Sequence, residues 1–70
     1  MDRDEWIGRF AAEVGVDAPS AAQIERLLAL AGVAAHASER TAAPIACWIA
    51  GRADVTPDEL SAAAERVSAP

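Results

Sequence analysis

Apolar side chains recur along this chain at spacings of three and four, the spacing that gathers residues on one side of an α-helix. Ile7, Phe10, Ala11 and Val14 fall at i, i+3, i+4 and i+7, with Trp6 at the edge of the stripe. Glu5, Arg9 and Glu13 stand four apart on the opposite side, as a solvated line of alternating charge. Asp2 is placed to cap, Glu5 completes an Asp-x-x-Glu variant of the capping box, and Gly15 is a natural stop. The pattern predicts a first helix over about 4–14.

Ser20-Ala21-Ala22-Gln23 is a capping box directly after Pro19 and opens a second helix over 20–37. Its main face holds Ile24, Leu27, Leu28, Ala31 and Ala35, while Leu30, Val33 and Ala37 lie on another side. Glu25, Ala29, Gly32 and His36 form the remaining strip. A helix apolar on more than one side belongs in the middle of a bundle or at a partner interface. The third helix is predicted over 42–51, with Thr41 as cap, Pro44 in the first turn and Gly51 at the end. It is two-faced: Ile45, Trp48, Ile49 and the stem of Arg52 on one side, Ala43, Ala46, Cys47 and Ala50 on the other. Thr56-Pro57-Asp58-Glu59 starts a fourth helix over 57–67, with cap, proline at N1 and glutamate at N3. Leu60, Ala63, Ala64 and Val67 are its inner face, with Glu65 and Arg66 pointing out. No strand pattern competes. The expectation is one all-α domain over 1–70, a compact four-helix unit whose short loops bring sequential neighbours close to antiparallel.

Composition changes this picture in one respect. Of the 70 residues 53% are apolar, but 19 are alanine, so only 18 larger apolar side chains are left to build a core. With no disulfide pair, such a chain sits at the lower edge of what one core stabilises. The surplus apolar faces of the middle helices are then surface to bury against a partner or a twin.

Charge and cysteine usage exclude whole classes. Six basic residues, all arginine, stand against 11 acidic ones for a net charge of −5. That balance speaks against nucleic acid and anionic membranes, which select basic patches. The acidic start Met1-Asp2-Arg3-Asp4-Glu5 is unlike a secretory signal, and the longest uncharged stretch, Leu27 to Ser38, is too short to span a bilayer. A cytoplasmic protein is expected. A single cysteine, Cys47, makes neither an internal disulfide nor a zinc or iron–sulfur site. A helix-turn-helix repressor would need a basic recognition helix, and the fourth helix has the wrong sign. An acyl carrier protein carries its arm on the serine of an Asp-Ser-Leu motif. Here the second helix opens Ala18-Pro19-Ser20-Ala21, so Ser20 is a cap.

Few side chains invite chemistry. His36 is the one imidazole, and it is either an acid–base or partner-contact group or a helix-end histidine favoured by the dipole. Without a second ligand it is a poor metal site. Cys47, mid-helix among alanines and remote from His36 in sequence, reads as a small filler rather than a nucleophile. The acidic residues of the first 25 positions fall on a solvated face, at caps or in loops, and no catalytic carboxylate pair emerges. Trp6 and Trp48 are core bulk or interface anchors, and can be both when one ring edge reaches the surface. No enzyme, metal site or cofactor is expected.

Five short motifs occur in order: Asp4-Glu5-Trp6, Val14-Gly15-Val16-Asp17, Ala34-Ala35-His36-Ala37, Arg40-Thr41-Ala42-Ala43-Pro44-Ile45 and Ile49-Ala50-Gly51. In these the chain resembles a small actinobacterial domain of unknown function, found alone or as the C-terminal part of molybdenum cofactor guanylyltransferase, which attaches GMP to molybdopterin. The likeness runs from about Asp4 to Val67. Where such families often read Arg-Pro-Ala-Ala-Pro, Thr41 replaces the first proline. The chain lacks the glycine-rich nucleotide loop that the transferase itself needs, so the resemblance implies an accessory module. Its implied partner is the nucleotidyltransferase, a molybdoenzyme or another maturation factor. No catalytic residue carries over. The expected interaction surface is Trp6, His36, Glu39, Arg40, Pro44, Trp48 and Arg52. The competing expectation is a homodimer, formed through the small-residue face of the third helix or the second side of the second.

Overall fold

The computed structural model describes residues 1–70, which form four α-helices and no strand: α1 (Arg3–Val14), α2 (Ala21–Ala37), α3 (Ala42–Arg52) and α4 (Pro57–Ser68). Two starts are full capping boxes. The Gln23 N–H donates to Ser20 Oγ at 3.1 Å and the Ser20 N–H to Gln23 Oε1 at 2.7 Å. Thr56 and Glu59 repeat the exchange at 3.2 and 3.3 Å, with Pro57 at N1, where no intrahelical N–H bond is lost.

The other two starts differ from expectation. Asp2 accepts from the Glu5 N–H at 2.8 Å, but Glu5 does not reach back. Its carboxylate takes the Arg9 guanidinium at 3.3 Å instead, the i,i+4 pairing, and Glu13 does not extend the line. Thr41 makes no cap bond, because its backbone is already helical (φ −69°, ψ −14°). The N3 position there is Pro44, which has no N–H to give a cap. The Thr41 hydroxyl turns to Glu39 at 3.5 Å, and turn bonds from the Ala42 and Ala43 N–H groups to the Glu39 and Arg40 carbonyls open the helix. Gly51 does not end α3 either, since the helix continues through Arg52 and leaves it at an extended Ala53.

Gly15 does end α1, and it is the one residue with positive φ, at 83°. The Val16 N–H reaches the Ala11 carbonyl and the Gly15 N–H the Ala12 carbonyl, at 2.9 and 3.2 Å. This is the paired closure of a Schellman motif. No heavy atom lies within 4 Å of a Cβ built on Gly15, so the cost of Gly15→Ala is backbone strain alone, about 1 kcal/mol. Gly32 is equally open but sits inside α2, where Ala stabilises by a similar amount. Thermal melts should therefore move in opposite directions for Gly15→Ala and Gly32→Ala. Equal shifts of one sign would contradict the capping role.

α2 is the hub, for α3 and α4 both pack on it. Sequential packing holds for α2 and α3, whereas α4 docks back on α2 and touches α3 at most marginally; α1 likewise is at most marginally attached. The small-residue face of α3 is the one turned inward: Ala50 is buried, Ala43, Ala46 and Cys47 are half-buried, and the Cys47 thiol points to the Leu27 carbonyl at 3.7 Å. Alanines allow close helix approach where longer side chains hold helices apart. That face is partly covered within one chain, and Ala46 and Ala50 also border the open space between α3 and α4. Between α2 and α4, Arg26 meets Asp58 at 3.4 Å on the surface, a pair worth a few tenths of a kcal/mol.

The result is open. Only Ala11 and Ala50 are buried, and no large side chain is. The radius of gyration is 12.9 Å, against about 11 Å for a compact chain of this length. The accessible surface is 5639 Å², against roughly 4,100 Å² for a folded monomer of this mass. Most of the 18 larger apolar residues line their helices as the sequence pattern requires, but the alanine contacts leave all 18 half-covered or bare.

Candidate interaction surface

Three apolar features remain uncovered. The first is a ridge on α1. Ile7 and Ala11 face the rest of the chain, half-buried and buried, while Trp6, Phe10 and Val14, one turn apart, stay exposed. The Trp6 and Phe10 rings stack with centroids 5.1 Å apart and planes 22° apart, within the offset-stacked range. The stack holds both rings as one rigid slab.

The second is the row Pro44, Trp48 and Arg52, four residues apart on α3 and all exposed. The Arg52 guanidinium carbon lies 4.7 Å from the Trp48 ring centroid, a cation–π arrangement. Trp48 is 63% exposed, so this pair offers an aromatic face and a positive group together to solvent. The sequence places the stem of Arg52 with Ile45, Trp48 and Ile49, and its head lies over the Trp48 ring.

The third is a groove of about 620 Å³ between α3 and α4, floored by α2. Leu30 and Val33 form its floor, Ile45 and Ile49 one wall, and Leu60 and Val67 the other. Val67, assigned by sequence to an inner face, is 87% exposed here, because α4 closes on α2 and leaves α3 apart. Glu39 is the only charged residue of the groove. A second hollow of about 600 Å³ lies on the other side of Leu30 and Ala50 and is more polar, with Asp17, Arg26 and Glu65 among its walls. Neither includes a residue of α1.

Among the residues singled out by sequence, Pro44, Trp48 and Arg52 come together as one row. Trp6 lies apart on α1, with Phe10 as its partner. His36 is exposed in the last turn of α2, and Glu39 and Arg40 are exposed in the turn that follows. Glu39 borders the groove and accepts from Thr41. The groove itself is absent from the sequence reading. Its signal was present in the second apolar side of α2, Leu30 and Val33, together with Ile45 and Ile49. No group of three or more His, Cys, Asp or Glu side chains gathers in a way that could hold a metal ion. No helix is long and apolar enough to cross a membrane.

The chain is thus a small all-α domain of four helices with exposed aromatic and aliphatic faces. Residues 1–69 match the family described as Domain of unknown function (DUF6457), and the chain belongs to that family. No curated protein and no solved structure matches it.

Proposed function

We propose that this chain is a non-enzymatic helical interaction module of the cytoplasm that serves molybdenum cofactor or molybdoenzyme maturation. The partner in this reading is the molybdenum cofactor nucleotidyltransferase or a molybdoenzyme, engaged through Pro44, Trp48 and Arg52. The observation that supports association most directly is the uncovered Trp48–Arg52 pair. Tryptophan and arginine dominate binding hot spots, and a ring left in water on so small a domain has little to do in the free chain. The choice of partner rests on the resemblance to the actinobacterial domain found alone or fused C-terminally to the guanylyltransferase.

The test has two arms. The tagged chain should recover the transferase or a molybdoenzyme from its own host, and deletion should lower molybdoenzyme activity. Trp48→Ala should weaken the recovered complex roughly thirtyfold with helix content unchanged, as expected for a hot-spot side chain. Recovery of unrelated proteins alone, with molybdoenzyme activity intact after deletion, sinks the proposal.

A further inference from the structure

The exposed ridge of α1 and the vacant α3–α4 groove are complementary in length, bulk and charge. Trp6 to Val14 covers eight residue steps of helix, about 12 Å. The α4 wall of the groove, from Leu60 to Ser68, covers the same number. The ridge carries the largest side chains of α1, and the groove is walled by alanine and aliphatic residues. The groove has a single charge, Glu39, and the three ridge side chains have none, with Arg3 and Glu13 flanking them where their exposed heads can stay in water. Within one chain they do not meet: α1 turns Ile7 and Ala11 toward its own body and supplies no residue to the groove.

From this we infer that the chain is an obligate homodimer in which the Trp6–Phe10–Val14 ridge of each copy lies in the α3–α4 groove of the other. The mode is an amphipathic helix in an apolar groove, made reciprocal by a two-fold axis. Surface area favours a second copy as the occupant. One chain exposes about 1,500 Å² more than a folded monomer of its mass, spread over all its uncovered faces, so a pair has at most about 3,000 Å² of surplus to bury. That upper bound reaches the 2,000–5,000 Å² of obligate homodimers, and the ridge and groove supply part of it. The net charge of −5 per chain is carried mostly away from the groove, where Glu39 is the one acidic residue, while Glu13 flanks the ridge at its edge. The inference concerns a face other than Pro44–Trp48–Arg52, and it holds or fails independently of the molybdenum reading.

The experiment uses the full chain. Sedimentation equilibrium should give twice 7.2 kDa, and Ile49→Asp should weaken the dimer roughly a hundredfold. Ile49 is exposed in the single chain, so helix content should stay intact in that variant at protein concentrations well above its weakened Kd. The pairing itself is read by disulfide trapping in a Cys47→Ser background. A chain carrying Phe10→Cys mixed with one carrying Ile45→Cys should give a mixed disulfide, and the same mixture with Glu25→Cys in place of Ile45→Cys should not. A monomer at all concentrations overturns the inference. So does a dimer without the mixed disulfide, which would place the twin, or another apolar face, elsewhere. A monomer that forms the disulfide only when both cysteines are on one chain shows that its own α1 fills the groove, and also overturns it. Each result leaves recovery of the transferase to be read separately.

Discussion

Ala50→Asp should lower the melting temperature by at least about 10 °C at fixed protein concentration, the largest effect expected of a single substitution in the α2–α3 contact. Ala50 is 9% exposed and is one of only two buried residues. It lies in the last turns of α3, on the small-residue face through which α3 meets α2. A carboxylate there loses hydration in a contact made for a methyl group. It also stands near the negative end of the helix dipole, which adds a few tenths of a kcal/mol. A cost of about 2–3 kcal/mol is a large part of the roughly 4–10 kcal/mol that holds a domain of this size. The control is Ala62→Asp on the exposed side of α4, which should shift stability by less than about 0.5 kcal/mol. Thermal melts followed by circular dichroism decide the matter. Equal shifts for the two variants would mean that the α2–α3 contact is not the seam that holds the chain.

The second large effect is on the concentration dependence of unfolding. If folding and pairing are one event, each tenfold dilution removes about 1.4 kcal/mol from the dimer. Spread over the unfolding entropy of two such chains, that lowers Tm by about 5 °C per decade. Ile49→Asp should melt lower than the wild type at every concentration, by about 9 °C for a hundredfold weaker dimer. A wild-type Tm constant over a hundredfold range would be incompatible with obligate pairing. The same series reports on α1. Gly15→Ala disturbs the closure that sets the direction in which α1 leaves α2, so its destabilisation should be larger in the concentrated sample than in the dilute one.

Helix positions were legible in the sequence because their ends are written in local chemistry. Ser20 with Gln23, Thr56 with Glu59 behind Pro57, and Gly15 each act within a few residues, and the structure uses all three. Local signals failed where two of them competed. Glu5 could serve Asp2 or Arg9, and it serves Arg9. Thr41 reads as a cap until Pro44 is seen to remove the donor at N3. Gly51 reads as a stop, yet without a left-handed residue the helix runs one residue further.

Which faces turn inward was much less legible. Periodicity sets Ile45, Trp48 and Ile49 on one side of α3 and the small residues on the other without saying which turns inward; the structure seats the alanines on α2 and leaves the larger residues outside. The distance at which two helices settle is set by the smallest facing side chains, and hydropathy carries no record of that distance. The candidate surface was legible in part for the same reason. Pro44, Trp48 and Arg52 share a face by spacing alone, whereas the groove needs three helices from distant parts of the chain. The family match confirms a domain of unknown function across the chain, as the order of the five short motifs indicates.

The two tryptophans have a practical consequence. The chain contains no tyrosine, so its near-ultraviolet emission comes from Trp6 and Trp48 alone. One ring lies on the α1 ridge against Phe10, and the other sits beneath Arg52 on the α3 row. Each is thus an unlabelled optical sensor of a different surface. With Trp48→Phe in place, a blue shift on concentration reports that the α1 ridge is being covered. With Trp6→Phe in place, a shift on addition of a candidate protein reports that the Arg52 side is engaged. The molecule can be titrated for its twin and for its client without any added label, one single-tryptophan variant serving each.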